Sequence, residues 1–172
     1  SITERLSEGI TVNIDAAQMQ QVFSNLLMNA LQSRDSGVAI QIAAERCDAR
    51  SPEASGNEPM RCVRITVTDN GEGISDADLP HIFEPFFTTK AVGKGTGLGL
   101  STVLGIVRQH HGWLEVESRP SRGTNFKMYF PASKQPGEKV ENVAEAKMKS
   151  GRETILVAED EEHLGQLLER FL

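Results

Sequence analysis

The sequence predicts a domain of mixed α and β class. Five short segments alternate apolar and polar residues, the period of a half-buried strand. Two longer segments repeat their apolar residues at helical spacing. The 172 residues, 38% hydrophobic and 24% charged, suffice for one good core with length to spare.

Ile10 to Ile14 is the first expected strand. Asp15 then caps a helix from about Ala16 to Arg34, whose buried stripe is Met19, Val22, Phe23, Leu26, Leu27, Ala30 and Leu31. Its opposite face carries Asn25 and Asn29 one turn apart, so their side chains project together. A solvated polar face is the plain reading, but asparagine is a mediocre interior helix former, so two stacked on one face also hint at a ligand. Val38 to Cys47 and Arg61 to Thr68 read as the arms of a hairpin joined by a Ser-, Pro- and Gly-containing loop. The second arm runs into Asp69-Asn70-Gly71-Glu72-Gly73-Ile74. A carboxylate at a strand end can accept a ligand's amino hydrogens while the glycines let backbone approach; alone, however, the stretch is an ordinary turn. Ser75 to Phe83 is expected as a short helix. Leu98 to His111 is the second long helix, stopped by Gly112, and Trp113 to Ser118 with Gly123 to Phe130 supply the last two strands.

Between these lies Gly93-Lys94-Gly95-Thr96-Gly97-Leu98-Gly99-Leu100, which opens directly into the second helix. Glycine N–H groups and the N-terminus of the following helix together read as a phosphate cradle. The spacing fits neither the dinucleotide fingerprint nor the P-loop, so by itself it is equally a flexible turn. Phe83, Phe86 and Phe87 form a small apolar cluster that would pin the loop, and Lys90 and Lys94 are placed to meet phosphates.

The bulk properties narrow the partners. A net charge of −6 gives no support to nonspecific binding of nucleic acid or a membrane surface. No apolar run approaches the ~20 residues of a membrane span, and no signal peptide opens the chain. Cys47 and Cys62 lack paired spacing and are expected as reduced thiols of a cytoplasmic protein. His81, His110, His111 and His163 form no zinc-ligand spacing with them.

Five stretches together resemble the ATP-binding catalytic domain of sensor histidine kinases. Gln21 to Ala30 resembles the N box, Asp69 to Ile74 the first glycine box, Phe83 to Lys90 the F box, Gly95 to Leu100 the second glycine box, and Gly123-Thr124-Asn125-Phe126 the last glycine motif. Any one box is weak, but five in family order across Ile10 to Phe130 are highly specific. The resemblance implies an α/β (α+β) sandwich: a mixed, largely antiparallel five-stranded sheet with helices packed on one face, a fold shared with gyrase and MutL ATPase domains. It implies that Asp69 holds the adenine amino group and that Gly71, Gly73 and Ile74 shape its pocket, with Thr124 near the base. Asn29 would carry Mg²⁺ bridging the phosphates, with Asn25 facing them and Lys90 as a positive contact. A lid from Thr88 to Gly97 would close over the triphosphate, so Phe87, Thr89, Lys94, Gly95, Thr96, Gly97, Leu98, Gly99 and Leu100 complete the expected nucleotide set.

Three departures from the family pattern matter. Many members carry lysine three residues after the magnesium asparagine, where this chain has Gln32. The usual His-Gly-Gly reads His110-His111-Gly112. The phosphoacceptor box is missing, so residues 1–9 are expected to be the tail of the dimerisation helices that would carry it, and 10–131 the catalytic domain. Residues 132–152 read as a linker. Residues 153–172 resemble the first strand and helix of a receiver domain, with Glu159 and Asp160 as part of an incomplete Mg²⁺ site. The expected whole is a hybrid kinase whose partners are a dimerisation or histidine-phosphotransfer domain and a receiver or response regulator; this piece is expected as a monomer without membrane contact. Two rivals remain: an ATP-hydrolysing gyrase- or MutL-type domain, and a non-catalytic nucleotide sensor. Hydrolytic relatives carry glutamate one turn before the magnesium asparagine, and Asn25 is no base at neutral pH.

Overall fold

Asp15 starts α1 (Ala16–Leu31) by accepting a hydrogen bond from the Gln18 N–H at 2.8 Å, which satisfies one of the helix's orphan donors. From there Met19, Val22, Leu26 and Ala30 turn one face into the core. The computed structural model describes residues 1–133 apart from 8, 35, 53–57 and 91–94. The expected linker beyond residue 133 and the receiver-like segment with Glu159 and Asp160 lie outside the described residues.

The sheet is five-stranded: β1 (Ile2–Leu6), β2 (Ile40–Ala49), β3 (Met60–Asp69), β4 (Trp113–Ser118) and β5 (Thr124–Pro131), in the order β1-β2-β3-β5-β4. Only β1 and β2 run parallel; the other three pairings are antiparallel. α1 and α2 (Gly99–Gln109) contribute Val22, Leu26, Val103 and Val107 to one cluster with Val63, Val67, Phe126, Met128 and Phe130 of β3 and β5. Each such side chain, fully buried, contributes roughly 1.5–3 kcal/mol. The expected mixed sheet backed by helices is therefore the observed fold.

The other sheet face is mostly polar. Arg64 pairs with Glu45 and Lys127 with Glu117, both at 2.6 Å, and the Tyr129 hydroxyl donates to Glu115 at 2.9 Å. At one end Trp113 stacks on Tyr129, with Cys62 beside them. Cys47 and Cys62 face each other in register, and burial pushes both thiols up from their ordinary range. Pro131 is tolerated opposite Cys62 because Ala132, the next residue, donates its N–H to Arg61, so nitrogen at position 131 points away from β3.

Four expectations change. Ile10 to Ile14 is not a strand; apart from one bridge between Val12 and Ala132 its backbone is irregular. Its alternation is real but reflects Ile10, Val12 and Ile14 packing against the core. The fifth strand is β1, formed by residues expected as the tail of the dimerisation helices. All its side chains are exposed, so backbone pairing with the β2 edge holds it and no apolar period announces it. Ser75 to Phe83 is a chain of turns instead of a helix, with Asp78→Ser75, His81→Asp78 and Glu84→His81 backbone bonds. Pro80 has no N–H to sustain a helical ladder there. α1 also ends at Leu31, short of the expected Arg34.

The β4–β5 turn packs directly on the Asp69–Gly73 loop. A Cβ on Gly123 (φ 82°) would lie 1.9 Å from the Asp69 carbonyl oxygen, and one on Gly73 (φ 72°) 2.0 Å from that of Arg119. Gly123→Ala should therefore lower stability by about 3 kcal/mol, combining left-handed backbone strain with a clash against main chain that cannot yield. Urea unfolding measures it, and an unchanged midpoint would contradict this packing.

Candidate functional site

α1, the loop after β3, the two ends of the 88–97 loop and the start of α2 surround one cleft of about 830 Å³. From α1 and the turn that ends it come Asn25, Met28, Asn29, Gln32 and Ser33, a stripe at helical spacing on the face away from Val22 and Leu26. Asn25 donates from Nδ2 to the Gly99 carbonyl at 3.2 Å, which braces α1 against the first residue of α2. α2 has no side-chain cap at its N-terminus, unlike α1, and Gly99 and Leu100 line the cleft. Its first-turn N–H groups and positive dipole end are thus placed for an anion.

At the opposite wall Asp69 is buried at the end of β3. Its Oδ1 accepts from the Gly71 N–H at 2.7 Å and the Thr124 N–H at 3.3 Å. Among the described residues these are the side chain's hydrogen bonds, and both fall on one oxygen, which leaves Oδ2 as an acceptor for a ligand. Asn70 has a different task. Its side chain accepts from the Ala39 N–H and donates to the Gly37 carbonyl, tying the α1–β2 connection to this loop.

The 88–97 loop is pinched at its base. The Phe86 N–H donates to the Gly97 carbonyl at 2.9 Å, with Phe86 itself at a φ of 69°. A Cβ on Gly97 would meet the Phe86 backbone, and one on Gly95 the Thr88 hydroxyl and the Lys90 stem. Lys90 Nζ reaches across to donate to Gln32 Oε1 at 2.6 Å and Asn29 Oδ1 at 3.4 Å. Burial holds its ammonium below the usual lysine range. It is the one basic side chain among the described residues lining the cleft; Asp69, Glu72 and Asp78 are the acids.

This architecture is shared with the nucleotide-free catalytic domain of the histidine kinase ThkA, at a TM-score of 0.60 and 30% identity over 76% of this chain and 77% of that one. The family model for histidine kinase-, DNA gyrase B- and HSP90-like ATPases matches residues 14–134. The chain belongs to that family. Among its relatives are the sensor kinase CckA of Brucella abortus (strain 2308), 38% identical over 88% of this chain and 17% of that protein, and sporulation kinase A of Bacillus subtilis (strain 168), 40% identical over 72% and 18%. The sensory histidine kinase/phosphatase NtrB of Rhizobium leguminosarum bv. phaseoli is 40% identical over 68% of this chain and 31% of that protein. The chain thus spans less than a third of the length of these curated relatives. Full-length ShkA in complex with AMPPNP shares the fold, at a TM-score of 0.61 and 24% identity over 79% of this chain and 26% of that one.

In this histidine-kinase-type domain the cleft brings together Asn25, Asn29, Asp69, Gly73, Ile74, Phe87, Thr89, Lys90, Gly95, Thr96, Gly97, Gly99, Leu100 and Thr124. Gly71 and Leu98 stand outside the lining. Gly71 is held against Ser33, where a Cβ would lie 2.0 Å from the hydroxyl, so it acts on the wall through Asp69 and the turn after α1. Lys94, in the middle of the loop, lies outside the described residues. Among the residues not foreseen as ligand contacts are Met28, Gln32, Ser33, Glu72, Ser75, Asp78, Ile82, Thr88 and Phe126. Those on α1 were findable: positions 28, 32 and 33 continue the Asn25–Asn29 stripe by three or four residues. Asp78 and Ile82 carry no such signal, because the sequence predicts a short helix over Ser75 to Phe83 where the chain makes turns. Among the described residues no helix is long and apolar enough to cross a membrane.

Proposed function

We propose that this domain binds Mg·ATP and hands the γ-phosphoryl group to a histidine on a separate dimerisation domain. The carrying observation is that Asn29 and Asp69, forty residues apart on different elements, line the same cleft as both ends of the 88–97 loop. In this reading Asp69 Oδ2 accepts from the adenine 6-amino group, with Thr124 beside it and Met28, Ile74 and Ile82 supplying apolar walls. The uncapped start of α2 and the loop glycines take the phosphates.

The residues fit a magnesium ion. Asn29 already presents its amide oxygen to a cation, the Lys90 ammonium. Among the described residues no cluster of three His, Cys, Asp or Glu could hold a metal without help. One protein oxygen plus nucleotide phosphates and water is the coordination Mg²⁺ prefers, and the ion would neutralise charge on the transferred group. Lys90 takes the place of the lysine that many relatives have three residues after Asn29. It rests on Gln32, the residue at that position, and so delivers its charge to the same spot from the loop. Lys90→Gln should weaken ATP about tenfold and leave adenosine nearly unaffected. Competition binding of the two ligands checks this; equal losses would contradict it.

Transfer is favoured over hydrolysis by Asn25. It stands one turn before Asn29, where its amide is committed to Gly99 and cannot accept a proton from water. The cleft's carboxylates lie on the segment from Asp69 to Asp78, not on α1. The hybrid arrangement is part of the same proposal: Ile155 to Glu161 resembles a receiver's first strand, and the similarity to CckA covers more of the chain than residues 1–134 comprise. Incubation with the cognate dimerisation domain and γ-labelled ATP tests the function. Label in acid-labile, alkali-stable linkage on that domain supports it. Rapid phosphate release by this chain alone would overturn it in favour of a hydrolase.

A further inference from the structure

Ser118, the last residue of β4, makes three side-chain hydrogen bonds around the wall of the cleft. Its Oγ accepts from the Ile74 N–H at 2.8 Å. It lies 3.0 Å from the Gly123 carbonyl oxygen and 2.9 Å from the Thr124 hydroxyl oxygen. A hydroxyl has one proton to give and two lone pairs to receive. The Gly123 carbonyl can only accept, so the Ser118 proton goes there. The contact with Thr124 then needs a proton from Thr124. That is the one assignment in which each of the three contacts carries a hydrogen.

The consequence falls on Thr124, which is buried and lines the cleft. With its proton committed to Ser118, its Oγ1 can only accept from a ligand. Its own backbone N–H donates to Asp69 Oδ1, which keeps the two side chains adjacent. Asp69 Oδ2 and Thr124 Oγ1 are then both acceptors, on two cleft-lining residues joined by the Thr124 N–H bond to Asp69 Oδ1. We propose that Ser118 is a positioning residue that locks the Thr124 hydroxyl as an acceptor and so enforces selection of a 6-amino purine over a 6-oxo purine. The inference rests on the adenine reading of the cleft and adds to it a residue that touches no ligand. Without Ser118, the Thr124 hydroxyl is free to rotate and donate to a 6-oxo group.

The test is equilibrium binding of ATP and inosine triphosphate, with magnesium, to the wild type, Ser118→Ala and Ser118→Thr, alongside thermal melting. The wild type should prefer ATP. Ser118→Ala should cut the ATP-to-inosine-triphosphate ratio about tenfold, mainly through tighter inosine triphosphate, and Ser118→Thr, which keeps the hydroxyl, should restore it. A structural role alone would weaken both nucleotides in parallel with a lower melting temperature, and that result overturns the proposal, as does an unchanged ratio. Should Ser118→Ala not fold, Ser118→Cys keeps the bulk with a weak donor and must shift the ratio in the same direction. A wild type that binds neither triphosphate refutes the adenine reading itself, which separates the two failures.

Discussion

Asp69→Asn should reduce ATP affinity on the order of 100-fold, about 3 kcal/mol, while leaving the fold intact. The new amide keeps an oxygen where Gly71 and Thr124 donate, so both internal bonds survive. Its nitrogen takes the place of Oδ2 and turns an acceptor into a donor that faces the ligand's own amino hydrogens. The same change should relieve the repulsion against a 6-oxo purine, so inosine triphosphate should gain as ATP loses. Titration calorimetry with both nucleotides reads the inversion directly. Unchanged preference would mean that Asp69 does not meet the base, and melting within about 1 kcal/mol of wild type would show that the loss is not unfolding.

Asn29→Ala should separate binding from stability in the opposite sense. Alanine is the better helix former by several tenths of a kcal/mol, and Asn29 is only half-buried on α1, so the variant should be at least as stable as the wild type. Affinity for ATP with magnesium should nevertheless fall by about 2–3 kcal/mol, roughly 30- to 150-fold, because a charge-facing oxygen is lost. Affinity measured in chelator should hardly move. That difference between the two conditions is the signature of a metal contact. A variant that loses equally with and without magnesium would place Asn29 against the nucleotide and not the ion.

The parts of this molecule that were legible in its sequence are those where side-chain burial follows a period. The α1 stripe is one: the same 3.6-residue repeat that buries Val22 and Leu26 sets Asn25 and Asn29 together on the other face. β3 is another, with Val63, Ile65 and Val67 inward and Arg64 outward against Glu45. β1 was illegible because an edge strand with every side chain exposed is held by main-chain pairing alone. Ile10 to Ile14 misled for the converse reason, since its side chains pack inward while its backbone goes almost unpaired. In the site, glycines at 73 and 123 were visible as flexible positions. That each makes room for a specific carbonyl, from Arg119 and from Asp69, depends on a contact between distant loops that no local pattern encodes. Ser118 escaped notice for the same reason: one serine at a strand end carries no signal until Ile74, Gly123 and Thr124 converge on it.

Gln32 shows how a departure from the family pattern becomes intelligible in three dimensions. Its amide oxygen receives the Lys90 ammonium, so a side chain that replaces a cation instead steadies one that arrives from the loop. The positive charge is thus supplied by Lys90 of the loop, while Gln32 at the C-terminal end of α1 is a neutral anchor for it.

The most direct test of the whole account is a crystal structure of this chain grown with magnesium and a non-hydrolysable ATP analogue. The account predicts the purine 6-amino group against the Asp69 carboxylate, the metal on the Asn29 amide oxygen, and the phosphates at the start of α2 beneath Lys90. A nucleotide bound with its base away from Asp69, or a metal held with Asn29 uninvolved, would contradict it.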